Sequence, residues 1–290
     1  MKNRQRFLTL IGLPSIYLFL LFILPMGLMF IFSFRAGTTG AARNVFTIDN
    51  YVKFIHNTSF QRLLWRSAGI SFLMAIVSCV LAYPLAYYLA FQAGSKKTLL
   101  MLLVIIPTWT SYLLRIFSWK LILGSTGLLN SILVALGLID KPSPILIYSR
   151  TAVVVTLIYV WVPFVMLPIF ASLERIDRYL LEAAADLGCT RFEAFLRVTF
   201  PMLAPISIGA IVIRLIEASK IMDTVYVITS GGPGTATETS SYYIFIRGLR
   251  DFQIGYAASL SFTYLVVMAI SLTIIAKVLA RAMLVKDGGA

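Results

Sequence analysis

The chain is poor in the residues that build metal centres, catalytic relays and disulfide frameworks. It has one histidine, His56, and two cysteines, Cys79 and Cys189, among 290 residues. Cys79 lies inside an apolar run and Cys189 in a polar stretch, a spacing that suits neither a disulfide framework nor a zinc site. No metal site and no catalytic residues are expected, and the missing His/Cys/carboxylate clusters argue against a membrane-embedded enzyme. No G-x-x-x-x-G-K-[ST] occurs either. The nearest glycine-rich stretch, Gly231-Gly232-Pro233-Gly234, lacks the lysine and reads as a turn. The chain is therefore expected to bind no ATP of its own. Charge is also scarce, at 13%, and lopsided: 25 basic against 12 acidic residues give a formal net charge of +13. In a soluble protein that balance would suggest nucleic acid. In a chain this apolar it points instead to loops beside anionic headgroups, with membrane lipid as partner and no nucleic acid.

What is abundant is hydrophobic sequence, 59% of the chain, with a mean hydropathy of +0.89. Soluble domains use about 45–50% apolar residues, so the excess needs lipid as its solvent. A helix must run about 20 residues to cross roughly 30 Å of hydrocarbon. Runs of that length lie at about 9–34, 68–91, 98–123, 151–173, 202–227 and 256–284. The first, Leu8 to Phe34, is too long for a signal-peptide core and lacks a small-residue cleavage site, so it reads as a retained span. Each run must be helical to satisfy its own backbone in lipid. The expected fold class is all-α integral membrane, one membrane domain over 1–290 with six transmembrane helices. Prolines 25, 84, 107, 163 and 168 fall inside the runs, which membrane helices tolerate. With the N-terminus inside, the inner segments carry Lys2, Arg4, Arg6, Lys96, Lys97, Arg175, Arg178, Arg191, Arg197, Lys277, Arg281 and Lys286. The outer segments carry Arg35, Arg43, Lys53, Arg62, Arg66, Lys141, Arg150, Arg247 and Arg250. The outer loops are longer, so the density of positive charge places both termini in the cytoplasm.

The segment 174–201, between the fourth and fifth runs, is different. Ile176, Tyr179, Leu180, Ala183 and Leu187 recur at helical spacing, with Arg175, Arg178, Glu182 and Asp186 on another face. Gly188 suits the left-handed position that ends a helix. Thr190 and Glu193 form a T-x-x-E capping box for a second short helix, which Pro201 is expected to disrupt before the fifth span resumes. By itself this is an amphipathic helix at the membrane surface. The pattern Glu182-Ala183-Ala184, Gly188, Val198, Pro201 and Pro205 goes further and resembles the EAA loop of the permease subunits of binding-protein-dependent ABC importers. Val198-Thr199-Phe200-Pro201 stands where that family often has Ile-x-Leu-Pro. The resemblance implies a type I ABC importer permease fold with a cytoplasmic coupling helix in a bacterial inner membrane. It also implies ATP-binding cassette ATPase subunits as partners, carrying ATP and Mg. On that reading Glu182, Ala183, Ala184 and Gly188 couple the chain to the ATPase. Small alanines permit close approach, and the Glu182 carboxylate can bond a basic group across the interface.

Two further resemblances bear on the solute. FTIDNY (46–51), YPLAYYLA (83–90), PTWTSYLLRIFSW (107–119) and GLLNSIL (127–133) are similar to the spermidine/putrescine-type permeases. IMDTVYVITSGGPGTATETSSYYIF (221–245) and FQIGYAASLSF (252–262) are similar to sugar and polyol permeases. Within the apolar runs, Arg214, Glu217, Lys220 and Asp223 stand three residues apart with alternating sign. They read either as a self-neutralising ladder along one helix or as part of a polar solute pathway. Glu217, Lys220 and Asp223 are the pathway candidates, with Arg115 and Trp119 one helical turn apart on the third run. Trp109, Tyr112 and Trp119 also fit an interfacial aromatic belt.

The expected function is a transport subunit without chemistry of its own. A solute-binding protein would deliver a carbohydrate, polyol or polyamine, and a second permease subunit, forming a heterodimer, would complete the pathway. An ion-coupled secondary transporter is the alternative, which the intramembrane charges alone would fit.

Overall fold

An apolar run in lipid has to satisfy its backbone internally, and the chain does so by coiling into helices almost throughout. The computed structural model describes residues 10–12, 14–38, 45–143 and 146–284. Lys2, Arg4, Arg6, Arg43 and Lys286, used above to orient the chain, lie outside them. In chain order the helices are α1 (Leu24–Ser33), α2 (Asp49–His56), α3 (Thr58–Tyr87), α4 (Lys97–Ile105), α5 (Tyr112–Leu123), α6 (Leu128–Ala135) and α7 (Arg150–Leu173). There follow α8 (Arg178–Asp186), α9 (Arg191–Ala194), α10 (Phe200–Ser219), α11 (Asp223–Ile228), α12 (Ser240–Phe245) and α13 (Ile254–Leu284). No strand is formed among the described residues, where Arg35 and Phe46 make an isolated antiparallel bridge.

Among the described residues, six helical stretches are long and apolar enough to cross a membrane: Leu10–Ser33, Thr58–Gln92, Tyr112–Ala135, Arg150–Leu173, Arg191–Ser219 and Ile254–Val278. Two of the expected runs are divided. The run 98–123 tightens into a 3-10 turn at Ile106–Trp109, extends at Thr110, and restarts as α5. The cause is local. Pro107 has no amide to donate, and the hydroxyls of Thr108 and Thr110 bond the carbonyls of Ile105 (2.6 Å) and Pro107 (2.7 Å), competing with the helix. The run 202–227 is divided between α10, which stops at Ser219, and α11, which starts at Asp223. Pro201 does not break the chain as expected. A single π-helical turn at Phe195–Thr199 takes up the missing amide, and the helix runs on from Arg191 to Ser219.

Where the sequence suggested one domain, contacts group the chain into two compact units, residues 1–62 with 243–267 and residues 63–242 with 268–290. In the first unit the end of α1 is fixed by Asn50. Its buried amide donates to the carbonyls of Ser33 (3.0 Å) and Arg35 (2.8 Å), groups that a helix end otherwise leaves orphaned. Gly255 packs so closely there that a Cβ would lie 2.7 Å from the Arg35 carbonyl oxygen. In the second unit α7 supplies Val165, Met166, Ile169, Phe170 and Leu173 to a core with Cys79, Ala82 and Ala86 of α3 and Leu203 and Ala210 of α10. The small residues let helices approach without the hydrophobic drive that water would provide.

Asn50→Ala should strip both carbonyls of their donor, at about 1–3 kcal/mol for each buried group left unpaired. Thermal unfolding of the detergent-solubilised protein should show the apparent melting temperature falling by several degrees. An unchanged melting temperature would mean that water replaces the amide.

Candidate functional site

The two helix breaks meet. Tyr112, first residue of α5, hydrogen-bonds Thr224, second residue of α11, at 2.9 Å. The carbonyls freed beside the second break are taken by hydroxyls in the first turn of α12 and just before it. Ser241 donates to Ser219 (2.9 Å) and Thr239 to Ile221 (2.7 Å). Non-helical backbone within apolar sequence is tolerated where protein covers it or it lines a polar cavity, and here a cavity is present. Tyr112, Arg115, Val160, Trp161, Phe164, Arg214, Glu217, Lys220, Ile221 and Asp223 line a pocket of about 380 Å³.

Its charges are arranged unequally. Arg214 is 9% exposed. It pairs with Glu217 at 2.7 Å, and its guanidinium carbon stands 5.8 Å from the centroids of both the Trp161 and Phe164 rings. A guanidinium this buried needs its carboxylate, and the ring faces add cation–π attraction. The ladder stops after this rung. Because α10 ends at Ser219, Lys220 and Asp223 do not continue its face, and neither forms an ion pair among the described residues. Asp223 accepts instead from the Thr224 amide at 3.0 Å. Arg115 points a buried Nε at no partner.

Of the pathway candidates, Arg115, Glu217, Lys220 and Asp223 come together. Trp119 lies outside the pocket: its ring packs on Tyr159 at 5.4 Å and against the cluster of Ile116, Leu123 and Ile147. Trp161 and Phe164 were missed by the sequence reading. Their signal was an i, i+3 aromatic pair beside Pro163, hidden in a run that is apolar at nearly every position.

The second candidate region is α8 and its turn. Asp177 caps the helix by accepting from the Tyr179 amide at 3.1 Å. At the other end Gly188 sits at φ +82°. The amides of Gly188 and Cys189 bond the carbonyls of Ala185 (2.9 Å) and Ala184 (3.0 Å), the paired closure that needs a left-handed residue. Thr190 and Glu193 then form the reciprocal capping box of α9. The apolar stripe does not pack inward except at Ile176. Tyr179 is 76% and Leu187 84% exposed, with Phe192 of α9 at 69%. Glu182 and Ala183 are exposed beside them, whereas Ala184 is turned inward and buried. Of the two alanines expected to admit a partner, only Ala183 is open to one. The base of the helix is held by an ion pair between Glu174 and Lys97, whose ammonium also lies 5.1 Å from the Phe170 ring centroid.

No family model matches the chain. The spermidine/putrescine transport system permease protein PotB of Salmonella typhimurium strain LT2 is 32% identical over 281 residues, 94% of this chain and 94% of that protein. The chain belongs to the permease subunits of ABC importers. It is also 29% identical over 273 residues to the trehalose/maltose transport system permease protein MalF of Thermococcus litoralis, covering 92% of this chain and 90% of that one. A bacterial ABC transporter that imports the acidic polysaccharide alginate has a chain of the same fold, with a TM-score of 0.81 over 96% of both chains at 20% identity. A second structure, of a bacterial alginate ABC transporter in complex with its alginate pentasaccharide-bound periplasmic protein, matches at 0.78 over 94% of this chain. The permease is thus a multi-pass membrane component of a transporter and not an enzyme.

The turn at Gly188 gives a specific expectation. A β-branched side chain in the left-handed region costs about 1–2 kcal/mol, whereas asparagine is tolerated there. Gly188→Val should depress uptake by the assembled importer severalfold with membrane insertion intact, and Gly188→Asn should retain most of it. Equal uptake by the valine variant and the unaltered protein would remove the turn from the coupling surface.

Proposed function

We propose that this chain forms half of the translocation pathway of an importer in a bacterial inner membrane, with both termini in the cytoplasm. The solute passes through the pocket bounded by the two helix breaks. The observation that carries this is the convergence of Arg115, Arg214, Glu217, Lys220 and Asp223 on one cavity where backbone hydrogen bonding is interrupted. Charged groups at such a place are costly unless they serve a polar passenger. A solute-binding protein presents the solute from outside, and a second, different permease subunit completes the pathway. ATP and Mg are bound on separate ATP-binding cassette subunits and not on this chain. Those subunits receive α8, where Tyr179, Leu187 and Phe192 supply apolar contact and Glu182 a charged anchor. Alternating access follows from movement of α8 when the ATPase subunits close.

For the solute, the charge count favours a carbohydrate or polyol. The pocket holds three cations against two carboxylates, and one carboxylate is committed to Arg214. An ammonium brought about 4 Å from an unpaired Arg115 or Lys220 would be opposed by about 4 kcal/mol at an effective dielectric near 20. Hydroxyl groups would instead accept from both and donate to Asp223, with Trp161 as a stacking face. A polyamine is the second reading. It is favoured by the 32% identity to a permease named for spermidine and putrescine and by the cation–π capacity of Trp161.

Thermal shift of the cognate solute-binding protein against spermidine, putrescine, disaccharides and polyols should separate the two. Stabilisation by a sugar or polyol is expected, and stabilisation by spermidine alone would sink the carbohydrate reading. Glu182→Lys should abolish uptake by the reconstituted importer and uncouple its ATPase from transport. Undiminished uptake would refute the docking role of α8.

A further inference from the structure

The first unit contains a cavity that the transport reading does not use. It measures about 700 Å³, and its lining includes Arg35, Lys53, His56 and Arg247 but no acidic residue. Arg247 is matched by Asp251 at 2.8 Å. Arg35 and Lys53 form no ion pair among the described residues. The Arg35 Nε is shielded from solvent without a hydrogen-bond partner, while its guanidinium lies 4.4 Å from the Phe32 ring centroid. Arg35 and Lys53 thus face a roomy cavity whose lining offers no counter-charge.

Position decides what kind of anion fits. Arg35 stands two residues beyond the apolar stretch Leu10–Ser33, and Gln253, also in the lining, directly precedes the stretch Ile254–Val278. The cavity therefore lies at the ends of two spans, at the level where lipid headgroups stand. A separate groove of about 550 Å³, lined by Phe30, Ile31, Phe34, Phe46, Thr47 and Ile48, opens on the same end of α1. Phe46 and Ile48 are 62% and 65% exposed. A basic cavity and an apolar groove at one span end match the two parts of a phospholipid.

We propose that this is a binding site for an anionic phospholipid, with its phosphodiester beside Arg35 and Lys53 and an acyl chain along the groove. Lipids with a quaternary ammonium in the headgroup would bring a further positive charge into the cavity and bind less well.

The test is native mass spectrometry of the full-length permease released from detergent micelles, titrated with phosphatidylglycerol, phosphatidylcholine or inorganic phosphate. Phosphatidylglycerol adducts should form at a concentration at least tenfold below that needed for phosphatidylcholine. Arg35→Gln/Lys53→Gln should erase that preference while leaving phosphatidylcholine binding as it was. Lys53→Gln alone, at an exposed position, should reduce it severalfold without altering thermal unfolding in lipid-free detergent. Equal binding of the two lipids, or a preference that survives the double substitution, would overturn the proposal. Inorganic phosphate bound through Arg35 and Lys53 while lipid binding ignores the substitutions would also overturn it, making the cavity a soluble-anion site.

Discussion

A helix in hydrocarbon cannot leave a carbonyl unmatched, and the second unit is organised around the two places where this chain interrupts its helices. Each interruption frees backbone groups that lipid will not solvate. At 110–111 the threonine hydroxyls of the same segment take them; at 220–222 it is Ser241, in the first turn of α12, and Thr239 just before it. Once the polar groups needed for that repair are gathered, the cost of placing Arg115, Lys220 and Asp223 nearby falls. Low-dielectric surroundings punish isolated polar groups and reward connected ones. The pocket is the consequence of the breaks as much as of its charged residues.

The packing of α7 serves the same end. One face, from Val165 to Leu173, is spent on the core with α3 and α10. Trp161 is equally buried, but its ring is turned to Arg214, so one helix supplies both the rigid wall and the aromatic lining. On α3 the matching surface is Ala82 and Ala86, and the Tyr83 hydroxyl between them bonds Ser207 of α10. Close helix approach and an interhelical hydroxyl bond are the two forms of adhesion left once water is removed.

Much of this was legible in sequence, for reasons that can be stated. Span number follows from hydropathy because lipid tests only length and apolarity. The α8 turn was readable down to Gly188 and the Thr190–Glu193 box because helix ends are set by residues within a few positions of one another. The first break carried a signal in Pro107, Thr108 and Thr110, but membrane helices often run on through a proline. The second was not readable, because Ile221 and Met222 are as apolar as any helical residue and hydropathy carries no record of backbone direction. The charge ladder failed for that reason: its spacing of three assumed one helix continuing past Ser219. Asn50 was also invisible, since its partners Ser33 and Arg35 lie across a turn whose path no local pattern specifies.

The exposed face of α8 and the buried pair at Arg214 belong to one mechanical element. From Arg191 the chain runs helically to Ser219, so α10 continues a helix that starts beside the Gly188 turn and ends at the pocket. Its 20 residues span about 30 Å at 1.5 Å each. The single irregularity, the π turn at Phe195–Thr199, lies next to α9, and the rest of the rod is held by α3 and α7. A displacement of α8 that tilts this rod must alter the distance between Glu217, which is on it, and Lys220 and Asp223, which lie beyond its end. On the proposed coupling role of α8, a break placed there would turn a movement at one end into a change of pocket shape at the other. An unbroken helix through residue 227 would carry Arg214, Glu217, Lys220 and Asp223 along together, with no change in the distances among them.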